Sequence, residues 1–248
     1  MNTVKSKYIL LGLTILALLV YFSIFFNLNI TVSKGIMFST PDSQTYYDVV
    51  NWFEHHVDSK SVSTRPLLYP LLLWLTSKIG GFYALWVVHI IFWLLSVNFT
   101  FLTIKHLTKN NFFALFGAII MLSNLSLIVF TFHALTEVTT VLLLSVMLFF
   151  VVRKIEQFRS LQFFQTCLFF MVLLTVLKPT FSIPLLILLF IIFPFFYLKE
   201  YLKSPLKFLQ FGLILVPLII QISIIYTKYG QLKVSLIGSK TLTLYIVP

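Results

Sequence analysis

Between Tyr8 and Phe26 the chain runs for nineteen residues without a charged side chain. A helix of that length matches the hydrocarbon thickness of a bilayer, about 30 Å. Inside a bilayer there is no water to satisfy backbone N–H and C=O groups, so such a run must satisfy them itself, as a helix. Similar charge-poor runs recur along most of the sequence. Composition agrees: 59% of residues are hydrophobic and only 10% are charged, against roughly 25% charged in a soluble domain, and the mean hydropathy is +1.00. A chain with so few charges cannot cover its apolar surface, so lipid must. The fold class is therefore an all-α polytopic membrane protein. The net charge of +11 sits in small clusters between apolar runs, which orients helices in a bilayer and excludes a nucleic-acid partner. Cys167, the sole cysteine, lies in an apolar run and reads as a small core residue, with no disulfide framework.

About seven transmembrane helices are predicted: Tyr8–Phe26, Phe82–Ile104, Phe112–Phe130, Leu135–Val152, Leu161–Leu177, Thr180–Leu198 and Leu206–Tyr226. Asn27-Leu28-Asn29 follows the first run without a small-residue cleavage site, so that run reads as an uncleaved anchor. Pro66–Ile79 is apolar but too short to cross, and reads as re-entrant or interfacial. Gly80-Gly81 ends it.

One polar stretch interrupts this pattern. Phe38–Pro70 holds four of the seven acidic residues, Asp42, Asp48, Glu54 and Asp58. Thr40-Pro41-Asp42 reads as a helix start, with Thr40 as N-cap and Pro41 at the first helical position. Tyr46, Val49, Val50, Phe53 and Val57 recur at helical spacing, with Asp48, Asn51, Glu54, His55 and Asp58 mostly on other faces. This predicts an amphipathic helix lying on the membrane, with Tyr47 and Trp52 at headgroup level, inside an outer loop spanning 27–81.

Counting charges sets the topology. With the N-terminus in the cytoplasm of a cell bounded by a plasma (inner) membrane, the inner segments carry ten Lys and Arg against two acids, and the outer ones eight against five. That satisfies the positive-inside rule. Three polar signatures then fall on the outer rim: Arg65-Pro66, Thr136-Glu137 opening a span, and Lys178-Pro179 opening another. Helix N-termini favour anions, phosphate above all. Two carboxylates, Asp42 and Glu137, and two cations, Arg65 and Lys178, are expected to converge there, able to hold a lipid phosphate and activate a hydroxyl.

The order of these motifs carries a resemblance. A first span is followed by an outer loop with Asp42-Ser43 and the aromatics Tyr46 and Tyr47. Then come Arg65-Pro66-x-x-Tyr69-Pro70, Thr136-Glu137, and Lys178-Pro179-Thr180. This resembles the GT-C glycosyltransferases, multispanning enzymes that use polyprenyl-phosphate sugars, with protein O-mannosyltransferases and lipid A aminoarabinose transferases among their relatives. The resemblance covers nearly the whole chain as one transmembrane module, 1–248. It implies a cell-envelope transferase that moves a sugar from a polyprenyl-phosphate donor to a glycan, lipid or protein acceptor at the extracytoplasmic face. It further implies Asp42 and Glu137 as the catalytic acidic positions. Arg65, Lys178, Tyr46, Tyr47, Tyr69 and His133 are the expected substrate-binding set. Some branches carry two adjacent acids where this chain has Asp42-Ser43. Family members are usually longer, so the chain reads as a minimal member or a piece of one.

Each of these residues also has a plain structural role. Asp42 and Glu137 can complement a helix dipole, Arg65 and Lys178 can snorkel to headgroups, and Tyr47 and Trp52 can anchor at the interface. His55, His56, His133 and Glu137 show no metal-ligand spacing; no metal site and no cofactor are called, and a divalent cation stays open. The competing class is a transporter or flippase of lipid-linked sugars, or a non-catalytic membrane subunit. Coupled transport calls for ionisable groups near the midplane. The deepest polar groups here are only His89, Asn98, Asn124 and Gln221.

Overall fold

The computed structural model describes residues 3–27, 31–57 and 60–236; Asp58 and the Leu28-Asn29 dipeptide lie outside them. In chain order the helices are α1 Thr3–Asn27, α2 Lys34–Met37, α3 Pro41–His55, α4 Ser61–Thr64, α5 Leu68–Ile79, α6 Gly81–Thr108 and α7 Asn111–Leu122. They continue with α8 Leu125–Phe130, α9 Glu137–Arg153, α10 Leu161–Leu177, α11 Ser182–Ile187, α12 Phe193–Phe196, α13 Leu198–Leu202 and α14 Pro205–Tyr229. Among the described residues there is no strand. Four stretches are long and apolar enough to cross a membrane: Tyr8–Asn27, Gly81–Thr108, Pro179–Phe196 and Pro205–Tyr229. The chain is thus a multi-pass membrane protein, with four such helices among the described residues against the seven expected.

Two expected spans are not continuous α-helices. Phe112–Phe130 breaks after Leu122, because Asn124 turns its side chain to the backbone and accepts from Leu127 N–H (3.2 Å), capping α8. Thr180–Leu198 begins as a 3₁₀ turn at Pro179–Phe181 and widens into a π-helix over Leu188–Ile192. Pro194 lies just beyond and brings no N–H to the ladder there. Other boundaries match the sequence closely. The α5–α6 junction falls at Gly80-Gly81, where Gly81 has φ +62°, a conformation glycine adopts without a Cβ clash.

The chain divides into two compact units, Met1–Thr40 with Ile79–Arg153, and Pro41–Lys78 with Lys154–Pro248. In the first, α1 packs antiparallel to α6: Asn98 bonds Thr14 (3.3 Å), and Trp86 bonds Tyr21 (2.7 Å). α9 runs in the same direction as α6, since Trp86 meets Phe132 just before α9 and Phe99 meets Phe149 near its end. The Lys5–Lys7 end of α1, the Lys105–Lys109 end of α6 and Arg153 therefore emerge on one side of this unit. α7 returns along α6 so closely that a Cβ at Gly117 would sit 2.1 Å from Ile104 Cδ1.

The core of the first unit is aromatic, with a polar knot inside it. Tyr21 is fully buried and stacks on Phe132 at 5.6 Å. Its hydroxyl accepts from Trp86 Nε1–H and donates to Thr131 Oγ1 at 2.8 Å, whose own proton goes to the Ile128 carbonyl. Nδ1–H of the buried His89 donates to the Thr131 carbonyl (3.2 Å). The two bonds to Thr131 tie α1 and α6 to the segment before α9, and the Trp86–Tyr21 bond ties α6 to α1.

In the second unit α10 and α14 run parallel, with Gln165 bonded to Gln210 (3.2 Å). The 179–196 stretch returns between their ends: Phe193 stacks on Phe211 at 4.7 Å. Tyr197 O–H donates to the Phe158 carbonyl. Arg159, Lys199, Lys203 and Lys207 gather at that end, and Lys178 and Tyr229 at the other.

Tyr21→Phe should cost about 1 kcal/mol, within the roughly 0.6–1.7 kcal/mol range of hydrogen bonds between membrane helices. Thermal unfolding in detergent should show that loss, while Tyr8→Phe, on the exposed surface of α1, should leave the midpoint unchanged.

Candidate functional site

α3 starts at Pro41, as the Thr-Pro-Asp signature predicts, and ends at His55. His56 takes a left-handed φ of +53°, which stops the helix before Val57. Val57 is therefore exposed and does not continue the apolar face. Ser43, Tyr46, Val49 and Val50 are the buried positions. Tyr46 packs edge-on against the buried Tyr69 of α5, ring centroids 5.0 Å apart. The apolar face of α3 is thus covered by protein at Tyr46 rather than laid on lipid.

α4 follows, and Asp48 of α3 pins it by accepting from Ser61 Oγ (3.0 Å). Pro66 disfavours helical geometry at the residue before it, and Arg65 accordingly leaves the helix with φ −105° and ψ 121°. That turn sends its side chain back over α3. Arg65 Nη2 donates to Asp42 Oδ1. Nε donates to Thr45 Oγ1 (2.7 Å), whose own proton goes to the Asp42 carbonyl (2.8 Å). The guanidinium carbon lies 4.9 Å above the Tyr46 ring, a cation–π distance. Arg65 is largely covered, its side chain 12% exposed, whereas Asp42 is 60% exposed. The result is a solvent-facing carboxylate oriented by a shielded cation, on a floor of two buried tyrosines. Tyr46 and Tyr69, both in the expected substrate-binding set, are buried, with Tyr46 packed beneath Arg65 and Tyr69 against Tyr46.

No family model, curated protein or solved structure matches this chain.

The remaining sequence-predicted residues sit as follows. Lys178 closes α10, its N–H bonded to the Leu174 carbonyl (2.7 Å), and begins the Pro179–Phe181 turn. Tyr47 is half-buried on α3. Glu137 and His133 belong to the first unit. Glu137 is the first residue of α9, and His133 donates from Nδ1 to the Ile36 carbonyl (3.0 Å), with Ser39 Oγ 3.4 Å away. That assigns the ring proton to Nδ1 and leaves Nε2 as acceptor in the neutral imidazole. Among the described residues no three His, Cys, Asp or Glu side chains come together as a metal site requires.

Two supports of the Arg65 loop were not legible as such. Gln221 of α14, 1% exposed, accepts from Leu67 N–H and donates to the Val234 carbonyl, both at 2.9 Å. Ser235 Oγ donates to the Thr64 carbonyl (2.7 Å). The backbone on both sides of Arg65 is therefore held by α14 and by the segment that folds back after it. At the far end of α3, Lys78 meets Glu54 at 2.6 Å, and that hydrogen bond holds the Glu54 carboxyl below its usual range.

Gln221→Leu orphans two backbone groups, and with about 1–3 kcal/mol for each such group a loss of about 2 kcal/mol or more is expected. Gln210→Leu, at an exposed position, should change stability by less than about 0.5 kcal/mol; thermal unfolding in detergent reads both.

Proposed function

We propose that this protein is an integral-membrane glycosyltransferase, moving a sugar from a polyprenyl-phosphate donor to an acceptor hydroxyl at the extracytoplasmic face of the plasma membrane. The observation that supports this most is the pairing of Asp42 with Arg65. Transfer from a lipid phosphate needs a base for the acceptor and a cation for the departing phosphate. Here one exposed carboxylate and one shielded guanidinium are in direct contact. A guanidinium has five N–H donors in a planar fork, and the bonds to Thr45 and Asp42 use two.

In this reading the donor phosphate, a diester with one negative charge, competes with the Asp42 carboxylate for Arg65, and the second charge that develops as the sugar leaves draws Arg65 further toward the phosphate. The acceptor oxygen attacks the anomeric carbon, and its proton passes to Asp42. The bond from that carbon to the phosphate oxygen breaks, and the lipid phosphate leaves as an anion stabilised by Arg65. No separate acid is needed, because the leaving group is already a stable anion. Lys178 is the second cation of this reading and Tyr47 a sugar-binding group, both of the same unit as Asp42 and Arg65. The clustering of basic ends on one side of each unit supports an outward site, since those ends belong in the cytoplasm.

Purified protein incubated with radiolabelled polyprenyl-phosphate sugars tests this. Asp42→Asn should lower transfer by roughly 10²–10⁴-fold, the usual weight of a positioned base. Asp48→Asn keeps an acceptor for Ser61 and should retain activity. Equal activity in the two variants would remove Asp42 from the reaction, and label crossing the bilayer without transfer would make the protein a transporter.

A further inference from the structure

Beside α14 the second unit holds a groove of about 510 Å3, open along one side. That is within the roughly 300–1,000 Å3 of sites that hold small ligands. Its deep walls are Leu189 of the 179–196 stretch and Leu218 and Ile222 of α14. Its other end carries Thr180, Lys233 and Ser235. The polar end is built by the segment after Gly230. Gln221 holds Val234 (2.9 Å), eight residues and about 12 Å back along α14 from Tyr229, so this segment returns alongside the helix and walls the groove. Lys233 is exposed there.

The groove is therefore apolar along its depth and polar and cationic at its mouth. Its surroundings are apolar as well: Ile183 of α11 and Ile219 and Ile220 of α14 all face outward. In a bilayer such a surface is bathed in lipid, and a site that prefers lipid is filled by mass action from the most abundant molecule around it. We propose that this groove seats one acyl chain of an anionic bilayer phospholipid, with the chain against Leu189, Leu218 and Ile222 and the phosphate at Lys233 and the Thr180 hydroxyl. The lipid is a structural occupant, and this assignment does not rest on the glycosyl-transfer reading. It has a consequence for the Arg65 loop: Ser235 at the groove mouth also holds the Thr64 carbonyl (2.7 Å), so a seated lipid braces the segment that carries Arg65.

Full-length protein in nanodiscs of equal parts phosphatidylglycerol and phosphatidylcholine, released into mild detergent and weighed by native mass spectrometry, tests this. One phosphatidylglycerol per chain should be retained in preference to phosphatidylcholine. Lys233→Gln should cut that preference by roughly fivefold, the weight of one lysine near an anionic surface. Leu218→Trp should empty the groove, while Leu213→Trp, on the exposed side of α14, should leave the bound lipid in place. Should Leu218→Trp lower the melting temperature, Ile222→Phe fills the same space with less bulk and is read in its stead. Lipid retained equally with the groove filled would overturn the assignment. So would displacement of the phospholipid by one equivalent of polyprenyl phosphate, which would make the groove a donor site.

Discussion

A bilayer interior gives polar groups no water, and that constraint orders this chain. Each charge must reach an end of a helix, and each polar group left at depth must find a protein partner. Both outcomes are visible. Basic residues leave α1, α6 and α9 on one side of the first unit, and those around Arg159 and Lys199–Lys207 share one end of the second. Several deep polar groups are tied off within each unit, while Trp93 Nε1 and Thr139 Oγ1 are buried without a hydrogen-bond partner among the described residues. Tyr21, Trp86, His89 and Thr131 bond one another inside the first core. Gln221 spends its side chain on two backbone groups in the second.

The same rule shapes the candidate site. Pro66 turns Arg65 out of α4, and Gln221 and Ser235 hold the backbone on either side of it. The cation is then settled over Tyr46 and against Thr45 and Asp42. Arg65 is well covered and Asp42 is not, so the pair is asymmetric: the cation is fixed and the carboxylate faces whatever enters. An asymmetric pair of this kind can pass its cation to an incoming phosphate without dismantling the floor beneath it. With the carboxylate 60% exposed the ion pair contributes little to stability, so its value here is geometric.

Much of this was legible in the sequence, for local reasons. Charge-free runs gave α1 and α6, the Thr-Pro-Asp signature gave the start of α3, and Gly80-Gly81 gave the α5–α6 break. The pairing of Asp42 with Arg65 was expected only as part of a wider convergence, and its third member, Thr45, was missed although it lies three residues from Asp42 on the same helix face. Other misses share a cause. Asn124 breaks an apolar run by capping α8, yet the hydropathy around it reads as continuous. Pro194 lies beside backbone that winds as a π-helix without interrupting the apolar pattern. Tyr46 reads as part of the lipid-facing side of a surface helix until Tyr69 is placed against it. Gln221 stood out as a deep polar residue, but its partner Leu67 lies 154 positions away, and no periodicity encodes that.

The account depends on the Asp42–Arg65 end of the second unit facing away from the side that holds Lys199–Lys207. Single cysteines placed at exposed positions in a Cys167→Ser background test this directly with a membrane-impermeant maleimide on intact cells. Gln44→Cys on α3 should label from outside, and Lys203→Cys only after permeabilisation. Labelling of both from the same side, or of Lys203→Cys alone in intact cells, would contradict the account.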